Sequence, residues 1–191
     1  MRTVIQRWSG AGFLGRLGIV LLTGVTWAAH GVQKVLVQPD YMDPATVADY
    51  FTVYAYSAAL LLTAASLLTL RDVARPLRPQ APNILVVAVA CAVAGVANGL
   101  EDGLGVRVFG LAYVIGVVVG AGGMIVIAFQ FWASPARRLT FVPAVGGLAF
   151  MAVNVGGGVL GLVAWLGFGM ILVRERLRPQ VSPVPASRSQ T

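Results

Sequence analysis

The chain has 191 residues, of which 58% are hydrophobic and only 11% charged, and it carries a formal net charge of +7. Soluble domains hold roughly 25% charged residues, so an ordinary water-soluble domain is excluded and the expected solvent is lipid. Basicity alone does not indicate nucleic acid, which needs a basic patch with a binding motif or aromatics beside it, and none is present.

The charges fall in short connectors between long uncharged stretches, and the connectors alternate in sign. Arg2, Arg7 and Arg16 come before the first apolar stretch, which predicts a helix over residues 13–37. Arg16 can snorkel to one interface and Lys34 to the other, leaving residues 17–29 in the hydrocarbon centre. A signal peptide is the competing reading, because basic residues precede an apolar core and the small residues Ala28 and Ala29 follow it. Apolar residues continue past that cleavage site, which favours an anchor. Asp40, Asp43 and Asp49 come next.

A second helix is expected over 47–70, charge-free from Tyr50 onward and of the length a spanning helix needs, about 20 residues. Arg71, Arg75 and Arg78 follow. The third, over 82–101, starts with Pro82, which a first helical turn tolerates, and ends in Asn98-Gly99-Leu100-Glu101-Asp102-Gly103, a cap and turn. The fourth, over 107–133, finishes at Trp132 just before Arg137 and Arg138. Residues 139–173 carry no charge; as one helix they extend roughly 52 Å, against a hydrocarbon thickness of about 30 Å. Two helices over 139–154 and 157–174, broken at Asn154-Val155-Gly156-Gly157-Gly158, fit better. Both are slightly short, so their shared tip is expected below the headgroups. The tail over 179–191, with Pro, Ser and Gln, is expected to be disordered.

The resulting expectation is an all-α, multi-pass integral membrane bundle of six transmembrane helices in one domain, residues 1–178, with both termini cytoplasmic. Lys and Arg stay on the inner side. Twelve cationic residues then lie inside (Arg2, Arg7, Arg16, Arg71, Arg75, Arg78, Arg137, Arg138, Arg174, Arg176, Arg178 and Arg188), and Lys34 and Arg107 lie outside. One Lys against thirteen Arg, with heavy use of Ala, Gly and Val, points to a bacterial inner membrane.

Small residues recur at four-residue spacing as Gly95/Gly99, Gly116/Gly120 and Gly157/Gly161, which lets a neighbouring backbone approach closely. Internal packing explains them, and a homodimer interface is the sharper reading. The expected partners are therefore the lipid bilayer and a membrane protein or second copy of the chain.

Polar residues cluster on the outer side. His30 and Lys34 lie one turn apart, Asn98, Glu101 and Asp102 share a helix face, Asp49 opens the second helix, Arg107 the fourth, and Asn154 sits at the tip of the last hairpin. If the first, third and fifth helices adjoin, His30, Lys34, Asp49, Asn98, Glu101, Asp102 and Asn154 converge on one vestibule. The plainer account is interfacial, since charge within a turn of the headgroups is tolerated and Lys34 can pair with Asp49 or Glu101. His30 is the best single candidate, because its unperturbed pKa lies near physiological pH.

No cofactor or metal is expected. The one cysteine, Cys91, sits in an apolar stretch, and no H-E-x-x-H, P-loop, G-x-S-x-G or dinucleotide fingerprint occurs. Trp165 reads as packing, and Thr23, Thr26, Ser57, Thr63 and Ser66 can bond to their own helix backbone.

Arg16-Leu-Gly followed by His30-Gly-Val-Gln-Lys34 resembles the first helix of DoxX-like membrane proteins. The resemblance covers one helix of the six; that family has four spans, and no activity or site residue is carried over from it. Two functions remain open. The first is a non-enzymatic accessory subunit or small carrier with a polar outer vestibule, for which three-plus-three helices would place an internal repeat in inverted topology, although the halves show no similarity. The second is a membrane-embedded enzyme in which His30 acts with Glu101 or Asp102 as an acid/base pair.

Overall fold

The computed structural model describes residues 1–37, 44–75, 82–155 and 157–178. Asp40, Asp43, Arg78 and the tail over 179–191 lie outside these residues. The described residues form helices and turns, with no strand. The helices are α1 (Arg2–Arg7), α2 (Gly10–Val37), α3 (Val47–Ala74), α4 (Pro82–Glu101), α5 (Gly110–Trp132), α6 (Phe141–Met151) and α7 (Gly157–Leu177). Short 3-10 turns, Arg107–Phe109 and Arg137–Leu139, lead into α5 and α6.

Five of these helices, α2, α3, α4, α5 and α7, are long and apolar enough to cross a membrane. The side chains they turn outward are apolar: Leu22, Val25 and Val32 on α2, Val114, Ile115 and Val118 on α5, Val159 and Met170 on α7 are all exposed. A water-soluble monomer rarely exposes a contiguous apolar patch beyond a few hundred Å². Polar side chains face inward instead, where Thr23, His30, Thr52, Thr63, Ser66 and Asn98 are each 3% exposed or less.

Each long helix packs on its neighbours in sequence, and α7 returns to pack on α2, so that α2 to α7 close into a ring. The odd-numbered predicted helices are not successive neighbours on the ring, although the first and fifth meet across it through the Trp27 and Phe150 rings, whose centroids stand 5.3 Å apart. They appear as α2, α4 and α6, which alternate around the ring with α3, α5 and α7.

The closing contact between α2 and α7 is made by glycines. A Cβ on Gly31 would lie 2.7 Å from the Gly158 Cα, and a Cβ on Gly158 would lie 2.5 Å from both the Gly31 Cα and the Trp27 carbonyl. The three glycine pairs noted in the sequence also meet helices of the same chain: Gly95 and Gly99 face Ser57 on α3, Gly116 faces Ala94 on α4, Gly120 faces Cys91, Gly157 faces Ala149 on α6 and Gly161 faces Trp27.

Several polar side chains join α2 to α3. Thr23 Oγ1 lies 2.8 Å from Ser66 Oγ, and Trp27 Nε1 donates to Thr63 Oγ1 at 3.0 Å. Ser57 takes a bond from Asn98 on α4 at 2.9 Å. The expectation that these hydroxyls bond within their own helix holds for Thr26 and in part for Thr23, which reaches the Ile19 carbonyl. It misses the bonds of Thr63, Ser66 and Ser57 to other helices.

Three elements differ most from the expected spans, the other helix ends lying within three residues of them. The second helix continues through Arg71 and Asp72 to Ala74, because Asp72 pairs with Arg16 at 2.5 Å and stabilises the charged last turn. The fifth is 11 residues, about 16 Å of helix, shorter than the 139–154 span. It is flanked by the Arg137–Leu139 turn and by the turn that follows Met151. The third difference is α1. At six residues it is too short to hold itself as a helix in water. Arg176 on α7 holds it, donating to the carbonyls of Ile5, Gln6 and Trp8 at 3.0, 3.1 and 3.2 Å, while Ile5 is fully buried.

Candidate functional site

At the end of the ring away from α1, α2 finishes, α3 begins, α4 finishes, α5 begins, and the α6–α7 turn closes the circle. A cavity of about 360 Å³ opens there. His30, Lys34, Asn98, Glu101, Asp102 and Asn154 all line it, together with Tyr56 and Tyr113. Six of the seven residues singled out from sequence are thus brought together, although they are spread over more than a hundred positions. What gathers them is ring closure, which turns the inner faces of several helix ends toward one space.

Asp49 is the exception. It is the third residue of α3 and forms a capping box with Thr46: its Oδ2 accepts from the Thr46 N–H at 2.8 Å and the Thr46 hydroxyl at 2.7 Å, and its own N–H donates to Thr46 Oγ1. A carboxylate in a first helical turn satisfies orphan N–H groups and opposes the helix dipole. Asp49 starts α3 and does not line the cavity.

His30 forms the inner wall. It is 1% exposed, its ring stacks on Tyr56 with centroids 4.7 Å apart, and its Nδ1 lies 3.4 Å from the Thr52 carbonyl. Tyr56 in turn meets Trp27 and Tyr113 edge to face at 5.9 and 6.3 Å. Asn98, 2% exposed, donates from Nδ2 to the Val53 carbonyl at 3.3 Å and to Ser57 Oγ at 2.9 Å, which fixes α4 on α3. Sequence reading passed over Tyr56 and Tyr113, because an aromatic in an apolar helix carries no mark distinguishing a cavity wall from core.

The charges occupy two sides. Lys34, near the end of α2, donates to the Asn154 side-chain carbonyl on the α6–α7 turn. Glu101, at the end of α4, lays its carboxylate against the first residue of α5, Gly110, where a Cβ would overlap it. Asp102 follows it in sequence, and burial, then the neighbouring Glu101 charge, pushes its carboxyl up to about 6. Among the described residues, neither of these two carboxylate groups makes an ion pair or a side-chain hydrogen bond.

A second hollow, of about 740 Å³, shares Glu101 and Asp102 with the cavity and adds Tyr50 and Arg107. There the turn after α4 is held by Tyr54, whose hydroxyl donates to the Gly103 carbonyl at 3.3 Å, and Gly105 adopts φ 71°, the left-handed region that glycine accommodates. Among the described residues, no group of three His, Cys, Asp or Glu side chains stands close enough to hold a metal ion.

At the opposite end, Arg137 and Arg138 share a hollow with Glu175, and Arg16 pairs with Asp72 while its guanidinium covers the Trp8 ring at 4.4 Å. Arg16, Arg137 and Arg138 thus lie at the end of the ring opposite the polar cavity, while Arg107 lies beside it. The chain matches no protein-family model, no curated protein and no solved structure.

Proposed function

We propose that this chain is a six-span protein of the bacterial inner membrane with both ends cytoplasmic, and that its polar cavity is an outer-facing vestibule for a small polar solute. On this reading it works as a small carrier or as an accessory subunit, without a chemical step. The observation that carries it is the cavity itself: an imidazole, an ammonium, two carboxylates and two amides share about 360 Å³ inside a ring whose exterior is apolar. Ionisable groups at membrane depth are rare and usually face a bundle interior or a water-filled cavity.

The orientation follows from the arginines at the other end, by the tendency of Lys and Arg to stay inside. The sixth crossing is α6 with its flanking turns. Its short helix packs on α5 and α7, and irregular backbone at membrane depth is tolerated where protein or a cavity covers it. A locally thinned bilayer accommodates the remainder.

The enzyme reading draws support from the presence of His30, Glu101 and Asp102 on one cavity. It is the weaker reading, because among the described residues no Ser, Thr or Cys lines that cavity to serve as a nucleophile. The deciding experiment reconstitutes the chain in liposomes and measures proton and small-solute flux for the unmodified protein and for His30→Ala/Glu101→Ala/Asp102→Ala. Flux that the triple substitution abolishes supports a carrier. No flux in either protein removes the carrier and leaves an accessory subunit.

A further inference from the structure

We infer that the vestibule binds a small zwitterion, with its cationic end at Glu101 and Asp102 and its anionic end at Lys34. The inference rests on the vestibule reading and names the ligand class for it.

Among the groups lining the cavity, the two signs of charge stand on different parts of the ring. Lys34 is on α2 and is held by Asn154 of the α6–α7 turn. Glu101 and Asp102 close α4, with Glu101 packed over the start of α5. Around the ring these pairs are separated by α3 on one side and by the α5–α6 pair on the other. The carboxylates face the cavity without an ion pair among the described residues, and two adjacent carboxylates with no cation between them form an attractive site for an ammonium group.

A ligand carrying only positive charge would meet Lys34 across the cavity, and one carrying only negative charge would meet the carboxylates. A molecule with both ends satisfies both walls. Tyr56, stacked on His30, and Tyr113 also line the cavity, and their aromatic surface suits a short apolar spacer and favours a cation at a ring face. Asn98 is already bonded to α3 through its Nδ2 and belongs to the scaffold.

The test uses three molecules of matched shape: γ-aminobutyrate, butylamine and butyrate, with ω-amino acids of shorter and longer spacer as a length series. Binding is measured by calorimetry on the full chain in lipid nanodiscs near pH 7.5. One member of the zwitterion series should bind about tenfold or more tightly than the amine or the acid of its own length, since a hydrogen-bonded charge contributes more than one factor of ten. Lys34→Gln should remove that advantage and leave butylamine binding as tight as before or tighter, since the opposing charge is gone, while Glu101→Gln/Asp102→Asn should remove both. Retained butylamine binding also shows that the Lys34 variant is folded.

Butylamine binding as tightly as the zwitterion, indifferent to Lys34, overturns the inference, and so does the absence of binding along the whole series. A separate measurement reports on the vestibule: Val153→Cys, on the cavity wall, should react with a membrane-impermeant maleimide from outside intact cells. Labelling with no zwitterion binding sinks the ligand class alone. Labelling only in inverted vesicles sinks the outer-facing reading as well.

Discussion

Asp102 sits beside a like charge and partly away from water, and both conditions favour its protonated form. Its carboxyl rises from an ordinary 3.8 to about 6, so the folded state binds this proton more tightly than the unfolded chain. Stability from that proton is fully present below the unfolded value and is lost as pH rises through about 6. Asp102→Asn should therefore stabilise the protein at pH 7.5, by about 1 kcal/mol once partial exposure to water is discounted. The gain should vanish at pH 4. Thermal unfolding in detergent at the two pH values checks this, and an equal gain at both would show that the carboxylate is not held in the surroundings described. Charged and amide residues of this kind were legible in the sequence, because each is conspicuous in an apolar stretch. The capping role of Asp49 was also written there, as Thr46 and Asp49 three positions apart ahead of an apolar run, yet its charge drew it into the vestibule set instead.

Helix contacts were less legible, because their decisive partners are far apart in the chain. Spacing pointed to Gly157/Gly161, which meet Ala149 and Trp27, but the contact closing the ring also joins Gly158 to Gly31, and no local pattern connects positions 127 residues apart. Gly158→Ala would drive a methyl into the backbone of α2 at Gly31 and Trp27, where no side chain can move aside. A loss of roughly 1–3 kcal/mol is expected, as for overpacked cores. Gly18→Ala, whose Cβ would meet nothing within 4 Å, should be neutral or slightly stabilising. Comparing the two variants in one unfolding assay separates the crossing from a general effect of glycine replacement. The short helix α1 escaped prediction because its stability comes from Arg176 and not from its own six residues. Arg176→Ala should expose the α1 amides to rapid hydrogen exchange while α4 and α5 stay protected. Unchanged protection of α1 would mean that burial of Ile5 alone holds it.

For the molecule as a whole, the alternation of apolar stretches with charged connectors made the helical architecture legible, since it follows directly from what lipid excludes. The ring did not follow from it, because many arrangements of apolar helices satisfy the same hydropathy. The proposed orientation has a direct check: Asp102→Cys should react with an impermeant thiol reagent from outside intact cells, and Arg137→Cys only after permeabilisation. The reverse pattern would turn the bundle over and face the cavity to the cytoplasm. The native Cys91 is fully buried and should give little background.

Joining α7 to α2 also imposes an order on biosynthesis. α2 is made before α3 to α7, yet the surface it offers through Trp27 and Gly31 receives its partner only when α7 leaves the ribosome. Until then the nascent barrel is open along one seam, with Trp27 turned toward lipid or toward whatever insertion factor attends it. A chain released before α7 is made should be a substrate for membrane quality control, however complete its earlier helices.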